Sequence, residues 1–229
     1  MAEIQTTAAD AFSIVIVGAM NPRIHHPQWY RTIGAIDEAE LQSTLSGASV
    51  LVTAMVSQFQ FPAAEAAIAI NCIPDRWTIQ TSTDSTWERI ANVAARVFEK
   101  LSETPCTIYG FNTQKHVKTE APNVKDTMAT AIAEMQLGFP IGRSLASAVQ
   151  LQSTEDDHKI TVSLQPSLAG ESSIFVAYNT EYQAPTAPAG GYFDIGKLIV
   201  SKLPEHRERA GAAIQAVVTA INNRILKQR

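Results

Sequence analysis

Residues 66–117 read AAIAINCIPDRWTIQTSTDSTWERIANVAARVFEKLSETPCTIYGFNTQKHV, and the fold is decided in this stretch. Ala64 to Cys72 and Arg76 to Thr81 are strand-like runs joined by the turn residues Ile73, Pro74 and Asp75, which predicts a hairpin. Ser85, with Glu88 three positions on, has the spacing of a capping box and predicts a helix start. Trp87, Ile90, Ala94, Val97 and Leu101 then recur at helical spacing, so one face of that helix covers something apolar. Cys106 to His116 is strand-like again. A hairpin, a covering helix and a fresh strand point to an α+β protein.

Upstream, Ser13 to Met20 is a β-branched run that ends at Asn21-Pro22 and reads as a buried strand. An aromatic loop follows, then a short helical pattern over Asp37 to Leu45, then a strand from Ala48 to Phe61 that Pro62 stops. Downstream, Asn123 is placed to cap a helix whose stripe is Val124, Met128, Ala131, Ile132 and Met135. Three strands follow, Ala146 to Ser153, Lys159 to Gln165 and Ser173 to Tyr182, then a Pro, Ala and Gly loop over Ala184 to Gly191. A C-terminal helix is expected from near Pro204 through Ile214, Val217, Val218 and Ile221. The chain thus reads as one domain, 1–229, built from two pseudo-repeats, 13–103 and 104–229, each ordered strand, helix, three strands, helix.

Over most of the chain, and most closely over Ala66 to Val117 with its hairpin, capped amphipathic helix and following strand, that order resembles the TATA-box-binding-protein fold. The resemblance implies one curved antiparallel sheet, fused from two repeats, with helices on one face. The phrases Asn21-Pro22-Arg23, His26-Pro27-Gln28-Trp29, Gln58-Phe59-Gln60, Pro74-Asp75-Arg76-Trp77 and Thr104-Pro105 also look like a sporadically distributed bacterial family of uncharacterised proteins. That likeness implies a bacterial origin and no activity.

Composition narrows the classes of function. The chain has 229 residues, 45% hydrophobic, with a formal charge of −4 and no long run of like charge, so the overall field opposes nucleic acid. The N-terminus lacks a basic region followed by an apolar one, and no apolar run approaches membrane-spanning length; a cytoplasmic protein with no membrane anchor is expected. Cys72 and Cys106 sit in strand-like stretches and read as buried, reduced thiols.

Chemical motifs fail on inspection. Gly191 to Lys197, GYFDIGK, has phosphate-loop spacing, but Leu198 stands where a Ser or Thr would hold magnesium. Gly142-Arg143-Ser144 lacks the second glycine of a nucleophile elbow. His25 and His26 have no ligand-type residue at helical spacing; His116, His158 and His206 read as solvated. No catalytic residue, cofactor or metal is expected.

Two candidate contact surfaces remain. One is the loop around Arg23, His25, His26, Trp29 and Tyr30. The other is a sheet face: Thr78 and Gln80 alternate with Trp77 and Ile79, Gln150 and Gln152 with Val149 and Leu151, and Thr161, Ser163 and Gln165 with Ile160, Val162 and Leu164. That face is polar and uncharged, so contact with another surface desolvates few ions. The leading expectation is a non-enzymatic interaction protein that binds a protein partner or a second copy through this face or a sheet edge. The alternative is a nucleic-acid-binding module using a saddle-like sheet, with Phe59 or Phe61 as wedges and Arg76, Lys115 and Lys159 for phosphates. An enzyme whose site assembles from distant residues is the third reading.

Overall fold

The computed structural model describes residues 10–47, 50–63, 66–128, 148–155, 157–185 and 194–226. Its strands are β1 (Ala11–Gly18), β2 (Leu51–Val52), β3 (Ser57–Ala63), β4 (Ala66–Ile73), β5 (Arg76–Thr81), β6 (Cys106–Lys118), β7 (Val149–Glu155), β8 (His158–Pro166) and β9 (Ser173–Gln183). Among the described residues these nine strands make one antiparallel sheet in the order β2-β3-β4-β5-β1-β6-β9-β8-β7. The chain is therefore α+β, as its sequence predicts.

Period-two alternation gives the sheet two unlike faces. Phe12, Ile14 and Ile16 of β1, Trp77 and Ile79 of β5, and Phe111 of β6 are buried on one side. The helices α1 (Pro27–Thr32), α2 (Glu38–Ser46), α3 (Trp87–Lys100), α4 (described over 124–128) and α5 (Ile195–Leu226) pack on that side. Helix α3 turns Trp87, Ile90, Val93, Ala94, Val97 and Phe98 inward, and Trp87 stacks on Phe12 with ring centroids 4.0 Å apart. Gly196 lets α5 cross α3 closely: a Cβ there would lie 2.7 Å from the Ala95 Cα.

Local chemistry starts and stops the elements. Asp37 caps α2: its carboxylate accepts from the Glu40 N–H at 2.8 Å while Glu40 accepts from the Asp37 N–H at 2.7 Å. Glu40 also receives Arg89 of α3 at 2.9 Å, fastening one helix to the other. Asp37→Ala is expected to cost about 1 kcal/mol in chemical denaturation; no measurable loss would show that the cap contributes nothing. Asn123 caps α4 by accepting from the Asp126 N–H at 3.2 Å, and Val124 and Met128 are buried. Ala131, Ile132 and Met135 lie outside the described residues.

Four expected boundaries are corrected. The expected strand Ala48 to Phe61 is two strands, because the Thr53 hydroxyl accepts from the N–H groups of Met55 and Val56 and donates to the Val56 carbonyl, closing a turn. Pro62 does not stop β3: β2 pairs only with Ser57 and Gln58, so the edge beside Pro62 is open and its missing N–H breaks no ladder there. Ser85 does not cap α3. A 3₁₀ turn over Asp84–Thr86 precedes it, Thr86 and Thr81 hydroxyls lie 2.6 Å apart, and Glu88 pairs with Arg207 at 2.6 Å instead of turning back to a cap. Helix α5 starts at Ile195, capped by Asp194, and carries Pro204 in its interior on an exposed face. Proline removes one helical hydrogen bond, and solvation of the freed Val200 carbonyl makes that tolerable.

Candidate functional site

Strand register determines which side chains share the open face, the one on which no helix packs among the described residues. Ser13 of β1 pairs with Gln80 on one side and Asn112 on the other. Following the pairs outward, Gln80 meets Ala69 and then Gln60, while Asn112 meets Asn179, then Thr161, then Gln152. One transverse row thus runs Gln60, Ala69, Gln80, Ser13, Asn112, Asn179, Thr161, Gln152 with no charge in it. Flanking positions add Gln58, Asn71 and Thr78 on one half and Gln114, Ser163, Gln150 and Gln165 on the other. All seven residues the sequence placed on the polar face (Thr78, Gln80, Gln150, Gln152, Thr161, Ser163, Gln165) fall on this side.

The face is hollowed. A cavity of about 600 Å³ is lined by side chains of six adjacent strands, among them Val15, Arg76, Asn112, Gln152, Lys159, Thr161 and Asn179, with Gly110 in its floor. A flat sheet has no such cavity, so the strands curl around it. Gly110 permits the curl: a Cβ there would come within 2.5 Å of the Thr180 carbonyl oxygen. Asn112 donates to the Ser13 hydroxyl at 3.2 Å, whereas the shielded Asn179 Oδ1 has no partner among the described residues. The row itself is uncharged, but charge enters the cavity beside it as Arg76 and the cross-strand neighbours Lys159 and Glu181, which line it.

The second candidate surface does not hold together. Tyr30 is fully buried, accepts from Trp77 Nε1 at 2.8 Å, and lies 2.9 Å from His25 Nδ1. Burial lowers the His25 pKa to about 4, so this ring is neutral. The Ser57 hydroxyl donates to the His25 carbonyl. His26 caps α1 by accepting from the Trp29 N–H at 3.2 Å, and Trp29 packs edge-on against Tyr30. Arg23 is exposed on a 3₁₀ turn over Pro22–Ile24. What reads as a loop of contact groups is an anchor of α1, with His25 and Tyr30 inside the core.

Phe59 and Phe61 are also corrected. Register places them opposite Ile70 and Ile68 on the helix side, both essentially unexposed, so neither projects from the open face as a wedge. Lys115 leaves that face as well: it alternates out of register with Gln114 and pairs with Asp84 at 2.7 Å and Asp10 at 3.2 Å.

The expected solvation of two histidines is overturned too. His206 of α5 is fully buried, with Nε2 2.9 Å from the Thr113 hydroxyl and Nδ1 2.9 Å from the Thr180 hydroxyl, and burial lowers its pKa to about 3. Its place in the stripe Leu203, His206, Ala210, Ile214 is the signal that could have found it. His158 is buried at the β7–β8 turn, 2.6 Å from Asp157, which also receives Lys202 of α5 at 2.8 Å. Those two hydrogen bonds, Lys202 first, hold the Asp157 carboxyl down near pH 2. Arg209 reaches Glu155 at 2.7 Å and Glu205 at 3.0 Å, so this cluster ties a hairpin to a helix. Gly142, Arg143 and Ser144 lie outside the described residues.

The phosphate-loop spacing has a structural outcome. Residues 191–193 are outside the described ones, but Asp194 accepts from the Lys197 N–H at 3.0 Å and Gly196 presses against Ala95. The start of α5 is thus occupied by its own carboxylate and by α3. Cys72 and Cys106 are free thiols whose pKa values burial pushes up to about 12 and about 11, which suppresses thiolate chemistry. No helix among the described residues is long and apolar enough to cross a membrane.

No protein-family model matches the chain, and comparison with curated proteins finds no match.

Proposed function

We propose that this chain is a non-enzymatic interaction or assembly protein that receives a protein partner, or a second copy of itself, on its open sheet face or at a sheet edge. The observation that carries this reading is the uncharged transverse row from Gln60 to Gln152 lying across a hollowed face. Amide and hydroxyl groups keep their hydrogen-bonding capacity for a partner, and their desolvation costs far less than that of the Lys and Glu of ordinary surfaces. With it goes a finer reading of the fold as two pseudo-repeats in a TATA-box-binding-protein-like saddle. Its support is the strand order, in which β1 and β6 lie side by side at the centre and each is flanked by the last strand of its own half, β5 and β9.

Photo-reactive side chains at Gln80 and Gln152, both exposed, test the proposal against a control at Gln215 on α5. Cross-links from both sheet positions to the same protein, and none from Gln215, are expected in extracts of the native host. Gln80→Glu should leave thermal stability within about 0.5 kcal/mol while abolishing the cross-link from Gln152 to that protein. Cross-linking only from Gln215, or none from either sheet position, would overturn the reading. Nucleic acid is disfavoured by the burial of Phe59 and Phe61 and the sparse cations; retardation of duplex DNA at low salt by micromolar protein would restore it.

A further inference from the structure

The two ends of the sheet are treated differently. At one end β2 is only two residues long, and the stretch of β3 that it leaves uncovered carries Pro62, which blunts that edge. At the other end β7 runs for seven residues, Val149–Glu155, pairs with β8 throughout without a bulge, and has no pairing strand on its outer side among the described residues. Along its described residues there is no lysine and no proline, and its one charged residue, Glu155, faces the helix side at the far end, held by Arg209 at 2.7 Å. Leu151, in the middle of this edge, is 59% exposed.

We infer that β7 pairs antiparallel with β7 of a second copy, joining two sheets edge to edge in a closed dimer. The inference narrows the reading above to one partner and rests on it only for the sheet being the interacting element. A second copy fits because the edge is self-complementary. With a two-fold axis at Leu151, that leucine meets its own counterpart on the helix side, and Gln150 meets the partner's Gln152 on the open side. No like charges are opposed, which matters in a chain of net charge −4. The isologous arrangement also closes, whereas β7 against β2 would be a head-to-tail contact that propagates, and β2 is too short to support it. A single strand pair buries less than the roughly 1,200 Å² of a standard interface, so the dimer is concentration-dependent, not obligate.

Sedimentation velocity of the full chain from about 1 to about 100 µM is the test, since weak interfaces dissociate in this range. A monomer giving way to a dimer is expected, with Leu151→Lys weakening association at least about tenfold and Leu168→Lys, fully exposed but off the edge, leaving it unchanged. Gln152→Lys, which projects from the opposite face of the strand, gives the same weakening and serves if Leu151→Lys does not fold. A monomer at every concentration, or a dimer indifferent to both lysines, overturns the inference. Gln80→Glu separates the two readings: it leaves this dimer intact while removing the face cross-link.

Discussion

Acidification from about pH 7 to about pH 5 is expected to remove about 4 kcal/mol of stability, about 2 from each of two buried histidines. His206 and His25 are held neutral, with pKa values lowered to about 3 and about 4 by burial, against 6.5 for an unburied imidazole. The sign follows from which state binds the proton. Above pH 6.5 neither folded nor unfolded histidine is protonated and the stability is fully present; below it the unfolded chain takes up protons that the fold refuses. Stability then falls by about 1.4 kcal/mol per pH unit for each residue until the folded values are reached. The exposed Asp157, with its lowered pKa, adds a loss only below the ordinary carboxylate range, in the same direction.

Chemical denaturation at several pH values reads this slope. His206→Gln should halve it between pH 6.5 and about pH 4, whatever the change in absolute stability. An unchanged slope would place the titration elsewhere. The loss compares with a usual total of about 5–15 kcal/mol for a folded domain, so a marginal chain would unfold under mild acid.

Trp77→Ala is expected to cost about 4 kcal/mol, the scale on which buried aromatics report in large-to-small substitutions. Trp77 is fully buried, packs edge-on against Phe98 at 5.3 Å, and sits in register between Ile16 and Cys72. Its Nε1 also donates to Tyr30, so the alanine leaves a cavity and removes one of the two hydrogen bonds of a buried phenol. Tyr30→Phe alone should cost about 1–3 kcal/mol by orphaning the Trp77 and His25 nitrogens. The double variant should cost less than the sum, because the shared hydrogen bond is lost only once. Strict additivity in thermal or chemical unfolding would mean that the bond contributes nothing to the coupling of α1 to the sheet.

These two sites differ in how far the sequence discloses them. Trp77 is legible, since its alternation with Thr78 and Gln80 is a local strand pattern. His206 is not legible as a partner of Thr113 and Thr180, because nothing local joins a helix position to two strands 93 and 26 residues away. The same division runs through the candidate site. Alternation correctly grouped Gln150, Gln152, Thr161, Ser163 and Gln165, yet gave no means of knowing that Ser13, Asn112 and Asn179 complete their row. Missed boundaries have side-chain causes: the Thr53 hydroxyl closes a turn inside an apparent strand, and solvent accommodates Pro204 inside a helix.

By itself the sequence determined the elements and their two-sidedness, because turn chemistry, capping and periods of 2 and 3.6 act between residues close along the chain. Only the tertiary structure decided which side is which. Phe59 and Phe61 alternate with Gln58 and Gln60 as clearly as any strand here, but their burial beneath the helices follows from register across four strands and from where α2 and α3 come to rest. A face is a property of neighbouring strands in space, and strand order and register are fixed by long-range packing that no short window of sequence contains.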